Sequence, residues 1–164
     1  MIEQGLQQEI NMVMTEARNR RLEFVTVEHL LLALLNMDEV ISFLRGKRVN
    51  IDELRAELDQ YIDSHTPIIS EDAEIDIVPT VGFQRVLQRS VYQAQSAQKN
   101  SVNAMNVFVS IFSEKESHAV YMLKINNISR LDVMEGISSQ LADPPSEETK
   151  KVEGEKQTKP SSLE

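Results

Sequence analysis

The chain repeats itself, and the repeat confines its fold more than any single segment does. Placing Leu30–Leu35 on Val107–Phe112 sets a shift of 77 (107 − 30), and the same shift carries Leu6 onto Phe83, Ile10 onto Leu87, Met14 onto Val91 and Ala17 onto Ala94. A two-residue insertion raises the shift to 79, after which Leu44 meets Leu123, Val49 meets Ile128, Leu54 meets Val133, Leu58 meets Ile137 and Ile62 meets Leu141. Any one amphipathic segment superposes on another by chance, but four in the same order do not. The chain therefore reads as two copies of one unit, each needing the other to cover its apolar face.

The period inside each copy is helical. Leu6, Ile10, Val13, Met14 and Ala17 form one stripe of a helix over about 3–21, and Arg18, Arg20 and Arg21 suit its C-terminal dipole. Thr26 is the predicted N-cap of a second helix, Glu28 sits in its positive first turn, and Leu30–Leu35 is apolar all round, as a central buried helix requires. Val40, Ile41, Phe43 and Leu44 make a short third helix that Gly46 can end. Asn50 with Glu53 starts a fourth that buries Leu54, Leu58, Tyr61 and Ile62. The second copy opens with Phe83, Leu87, Val91 and Ala94, and Asn103 caps the counterpart of the central helix. The predicted fold is all-α: two tandem four-helix repeats with pseudo-two-fold symmetry packed as one domain over 1–141. Repeat 1 covers about 3–64 and repeat 2 about 80–141. Between them, 65–79 is an acidic loop marked by Pro67 and Pro79 as helix breakers, with Glu71, Asp72, Glu74 and Asp76 uncompensated by Lys or Arg. Residues 142–164, poor in aliphatic side chains and rich in Pro, Ser, Glu and Lys, read as a disordered charged linker.

Composition narrows the functions open to such a fold. The net charge is −9, of which −7 belongs to residues 1–141, so a polyphosphate partner is repelled and nucleic acid is not an expected ligand. A free-standing helical regulator that binds DNA is disfavoured on the same ground. There is no Cys, hence neither a disulfide framework nor a thiolate metal site, which fits a cytoplasmic protein. The longest apolar run, Leu30–Leu35, is far short of the roughly 20 residues that span a bilayer, and the N-terminus lacks a basic signal region. No membrane partner is expected. Only 5% of residues are aromatic, so Leu, Ile, Val and Met fill the interior, and Met12, Met14, Met105 and Met122 are assigned to it.

Catalytic patterns are missing. Gly46-Lys47-Arg48 has Ile41 where a phosphate loop needs its first Gly and Arg48 where it needs Ser or Thr. His29, His65 and His118 lie far apart and none belongs to an HExxH arrangement, and no Ser sits in a GxSxG turn. No catalytic residue, cofactor or metal is expected, and the chain reads as a non-catalytic binding domain.

The residues Thr26-Val27-Glu28-His29-Leu30-Leu31-Leu32-Ala33-Leu34-Leu35 resemble the Clp N-terminal domain family as a whole. Phe83-Gln84-Arg85-Val86-Leu87-Gln88-Arg89, Phe112-Ser113-Glu114-Lys115-Glu116-Ser117 and Ile128-Ser129-Arg130-Leu131-Asp132-Val133 are similar to its ClpA branch, the ATP-driven unfoldases of the Clp protease. The resemblance covers roughly 1–141 and implies two four-helix units, as the duplication does independently. It implies a domain without ATPase activity that docks substrates or adaptors above an ATPase ring absent from this chain, and through that ring serves the ClpP peptidase. The implied partner is ClpS, an adaptor that presents N-degron substrates. The adaptor-binding positions carried over are Glu23, Glu28, Thr80 and Arg85. As residues alone, Glu28 can equally complement a helix N-terminus, Thr80 can cap the fifth helix, and Arg85 can be a solvated surface residue. Glu23 and Glu28 are expected beside an exposed loop, where charge steers a partner. Relatives often carry His where this chain has Arg20 and Leu22, so zinc binding is not expected here. The alternative function is direct binding of unfolded polypeptide in a hydrophobic groove between the repeats. The isolated domain is expected to be monomeric, and to take one adaptor because Met105 and Asn100 replace Glu28 and Glu23 in the second repeat.

Overall fold

The computed structural model describes residues 1–70 and 77–142, the last three by backbone alone. The acidic run 71–76 and the segment 143–164 lie outside the described residues, and so do the expectations placed on them. The chain divides into a unit Met1–Val133 and a unit Met134–Glu164.

The first unit contains α1 (Gln4–Asn19), β1 (Phe24–Val25), α2 (Val27–Leu34), α3 (Asp38–Gly46), α4 (Ile51–His65), β2 (Val78–Pro79), α5 (Val81–Ser96), α6 (Ala104–Ile111) and α7 (His118–Ile125). α8 (Arg130–Ala142) begins in it and continues into the second unit. The fold is all-α, with eight helices among the described residues. Two-residue strands are too short to show a period in the sequence, and the parallel pair β1–β2 is an addition that periodicity missed.

The shift of 77 holds at the level of single hydrogen bonds. Val25 pairs in parallel with Pro79, and the shifted pair Val102 and Ile2 forms a parallel bridge. The Thr80 N–H donates to the Val25 carbonyl at 2.9 Å and the Glu3 N–H donates to the Val102 carbonyl at 2.9 Å. The two N-terminal segments of the repeats thus cross, each strand pairing with the start of the other copy. Thr26 caps α2 and Asn103 caps α6, each closing a capping box three residues on, with His29 and Asn106 as the reciprocal partners. Arg21 and Gln98 both take left-handed backbone, with φ of 58° and 59°, and so do Arg48 and Asn127 at the larger shift, both with φ of 63°.

Exchange of helices between the copies makes one core. α2 packs against α1, α4, α5, α6 and α7, while α6 packs against α2, α3 and α5. Leu30, Leu31, Leu34, Leu35, Val107, Phe108 and Ile111 are buried, as the all-round apolar runs demand. Phe43 of α3 meets Phe108 of α6 edge to face, with centroids 5.9 Å apart. Met105 and Met122 are core residues as expected, and Met14 is half-buried. Met12 is not: it is 63% exposed, because it lies off the stripe formed by Leu6, Ile10 and Ala17. α1 ends at Asn19, short of the expected 21, since Arg21 turns left-handed and of the three arginines only Arg18 lies in the last turn. Gly46 closes α3, but the left-handed residue after the helix is Arg48. No described helix is long and apolar enough to cross a membrane.

Candidate functional site

Three of the four residues singled out in the sequence meet where the repeats cross. Glu23 lies in the segment leading into β1, with its N–H donating to the Pro67 carbonyl at 2.8 Å and its carbonyl accepting from the Val78 N–H at 3.1 Å. Its backbone is thereby fixed on both sides while its side chain stays exposed. Thr80 directly follows β2 and caps α5, its hydroxyl oxygen accepting from the Phe83 N–H at 3.2 Å. Arg85, one turn into α5, is exposed and makes a two-pronged pair with Glu114, Nε to Oε2 at 2.9 Å and an outer guanidinium nitrogen to Oε1 at 2.7 Å. That hydrogen bonding raises the Arg85 pKa and holds the Glu114 carboxyl below the ordinary range against its partial burial, with Arg89 adding attraction. Glu114 was not among the expected residues, although it stands in the quoted Phe112–Ser117 motif. Its role needs the α6–α7 loop to fold back on α5, which no local spacing reveals.

Gly82 shows how tightly this joint closes. A Cβ there would stand 3.1 Å from Val27 Cγ2 and 3.2 Å from Glu114 Oε1, so the first turn of α5 seats on α2 and on the Arg85–Glu114 pair at once. Around it Ile68, Val78 and Val81 are exposed. Glu23 and Arg85 are exposed charges of opposite sign, the latter paired with Glu114.

Glu28 departs from its expected place. It is 7% exposed, and Oε2 accepts the Ala119 N–H at 2.9 Å, at the start of α7. The carboxylate complements two helix N-termini, that of α2 on which it stands and that of α7 which it faces. Its job is inside the molecule: it ties α2 to α7, and a lysine there would put an unpaired cation in the interior. Arg20 and Leu22 are also structural. Arg20 pairs with Asp63 and lies 3.9 Å from Asp59, and Leu22 is buried. Among the described residues no three His, Cys, Asp or Glu side chains come together in a way that could hold a metal ion.

A model of the Clp repeat (R) N-terminal domain matches residues 1–126. The chain belongs to this family. A ClpA homologue of Fuscovulum blasticum is 35% identical over 151 residues, which is 91% of this chain and 19% of that protein. The chain thus spans about a fifth of the length of this relative. Among solved structures, the N-terminal domain of Hsp104 from Candida albicans superposes with a TM-score of 0.72 at 11% identity, covering 86% of this chain and 91% of that one. The N-terminal domain of the chaperone ClpD from Arabidopsis thaliana superposes with a TM-score of 0.65 at 18% identity, covering 87% of this chain and 95% of that one. At such identities the superpositions establish the fold, and the family match carries the rest. The Clp N-terminal domain of these ATPases is a substrate- and adaptor-binding domain, not a catalytic one.

Proposed function

We propose that this domain docks a ClpS-like adaptor on the face built by Glu23, Thr80 and Arg85, and so delivers N-degron substrates to the ATPase ring of a cytoplasmic ClpA-type unfoldase and onward to its ClpP peptidase. The observation that carries this reading is the joint itself. Glu23 and Thr80 adjoin the β1–β2 pair, Arg85 follows one turn into α5, and the apolar Val78 and Val81 on either side of Pro79-Thr80 are exposed. Opposed charges at a rim fix the register of a partner, and the exposed apolar residues supply the area that desolvates. Glu28 contributes by holding α7 to α2 rather than by touching the adaptor.

Calorimetric titration of the full chain with a ClpS-like adaptor tests this. Arg85→Glu and Glu23→Lys each place a reversed charge on the rim, and each is expected to weaken binding about five- to tenfold at low salt, with the loss shrinking as salt rises. Glu23 is exposed, so circular dichroism should show unchanged folding in Glu23→Lys; Arg85→Glu also removes the pair with Glu114, so its affinity is read together with its thermal melt. Wild-type affinity in both variants rules this face out as the docking site.

A further inference from the structure

The second surface feature lies away from the adaptor face, between α4 and α7. Four rings follow one another there. His65 stacks on Tyr61 with centroids 4.1 Å apart and planes 17° apart, Tyr61 stacks on His118 at 3.8 Å and 3°, and His118 leans on Tyr121 at 5.3 Å and 36°. They form the wall of a groove of about 350 Å³ that Met122 and Ile125 complete. Tyr121 and Ile125 are 55% and 56% exposed, which is a large unpaired apolar area for a chain with so few aromatics.

The fold does not require this wall. At the shift of 79, Tyr61, His118 and Tyr121 correspond to Gln140, Glu39 and Ser42, so the rings are not part of the repeated sequence pattern. The charge around the groove has one sign among its fixed ions. Glu57 lines it, and neither Lys nor Arg does. Nearby, the buried Glu28 carboxylate acts on Tyr61, whose pKa is raised by burial first and by that charge second. Along α4, Arg55 is engaged with Asp52 and the Leu35 carbonyl, and Asp59 and Asp63 face Arg20, so among the residues that line the groove Glu57 is the carboxylate that an incoming cation meets. Aromatic faces beside a carboxylate favour a cationic head on an apolar stem.

We propose that the α4–α7 groove is a second docking site, which takes a partner segment with an apolar or aromatic anchor flanked by lysine or arginine. The anchor lies against Tyr61, Met122 and Ile125, and the flanking cation reaches over Tyr121 to Glu57. This site does not depend on the adaptor reading, since it shares no exposed residue with Glu23, Thr80 and Arg85.

The test is fluorescence anisotropy with the full chain and two short labelled peptides, each with a central Leu-Phe anchor, one flanked by Lys and the other by Glu. The Lys-flanked peptide is expected to bind at low salt and the Glu-flanked one not to. Tyr121→Ala is expected to weaken binding about fivefold or more. Ile125→Asp should weaken it as well, and serves if the first variant melts early. Glu57→Lys should shift the preference toward the Glu-flanked peptide, and Arg85→Glu should leave the Lys-flanked one unaffected. Equal binding of both peptides, binding of neither, or indifference to both Tyr121→Ala and Ile125→Asp overturns the proposal. A loss in Arg85→Glu would move the peptide to the adaptor face and overturn it too.

Discussion

His29 is the residue at which local structure and titration meet. It is 3% exposed, its Nδ1 accepts the Thr26 N–H at 3.0 Å to complete the α2 cap, and its buried Nε2 has no hydrogen-bond partner among the described residues. Burial, helped by the positive charge of Arg20, lowers its pKa from 6.5 to about 4. The folded state therefore resists a proton that the unfolded chain accepts, so stability is full above pH 6.5 and falls as pH drops toward 4. The depression corresponds to about 3 kcal/mol across that window. The second repeat places Asn106 at the same position, where its Oδ1 accepts the Asn103 N–H at 3.0 Å, so an amide can serve the same cap without titrating. His29→Asn is expected to keep the fold and to flatten the fall in stability between pH 6.5 and 4, as read by urea unfolding at a series of pH values. An unchanged slope would assign the acid sensitivity to other groups. None of this was legible in the sequence, where His29 is one of three scattered histidines. The spacing revealed Thr26 as a cap but could not show that an imidazole would stand where capping boxes use Glu or Gln.

At the scale of elements, the helices were legible because their signals are local: stripes at helical spacing, Thr26, Asn50 and Asn103 as caps, and breakers between them. What was missed is where the chain turns over without glycine. Arg21, Arg48, Gln98 and Asn127 all have positive φ, two in each repeat, and neither arginine is a residue type from which such a turn is read. After α3, the Val49 N–H reaches back to the Leu44 carbonyl at 3.0 Å, and the Ile128 N–H after α7 reaches the Leu123 carbonyl at 2.9 Å. The turn is set by these backbone bonds and by burial of Val49 and Ile128, so the residue between is carried into left-handed backbone whatever its type. Arg48 is exposed, and Arg48→Gly is expected to stabilise the chain by about 0.5–1 kcal/mol, the steric cost relieved less the added unfolded-state entropy. Asn127→Gly should gain less, because Asn already tolerates this conformation. Thermal melts of the two single variants decide it, and a loss in Arg48→Gly would mean that the left-handed turn carries little strain.

For the whole molecule, the duplication was the strongest signal and survives to the bridges Val25–Pro79 and Ile2–Val102, yet the candidate site is made of its exceptions. Applying the shift of 77 to Glu23, Thr80 and Arg85 shows that the repeats do not share this face: Glu23 answers to Asn100 (23 + 77), Thr80 to Glu3 (80 − 77) and Arg85 to Gln8 (85 − 77). Glu3 begins α1 with no side-chain cap bond, whereas Thr80 caps α5, so the two helix starts differ in what they present even though their backbones pair alike. Glu28 follows the same rule inside the core, for its counterpart Met105 is buried without a charge. Sequence comparison of the halves could reveal which positions differ, but not that Glu28 is turned inward, because the Ala119 N–H that holds it is distant in the chain. The consequence is a stoichiometry. A symmetric domain would offer two equivalent adaptor faces, whereas among the described residues the anion, the capped helix start and the cation occur together in one repeat crossing and not in its counterpart. Titration of the chain with a ClpS-like adaptor is expected to saturate at one adaptor per domain, with sedimentation showing only the one-to-one species. Asn100→Glu combined with Gln8→Arg rebuilds two of the three features on the other side and should create a weaker second site; a wild-type chain that already binds two adaptors would show that the backbone common to both repeats, not its exceptions, makes the docking face.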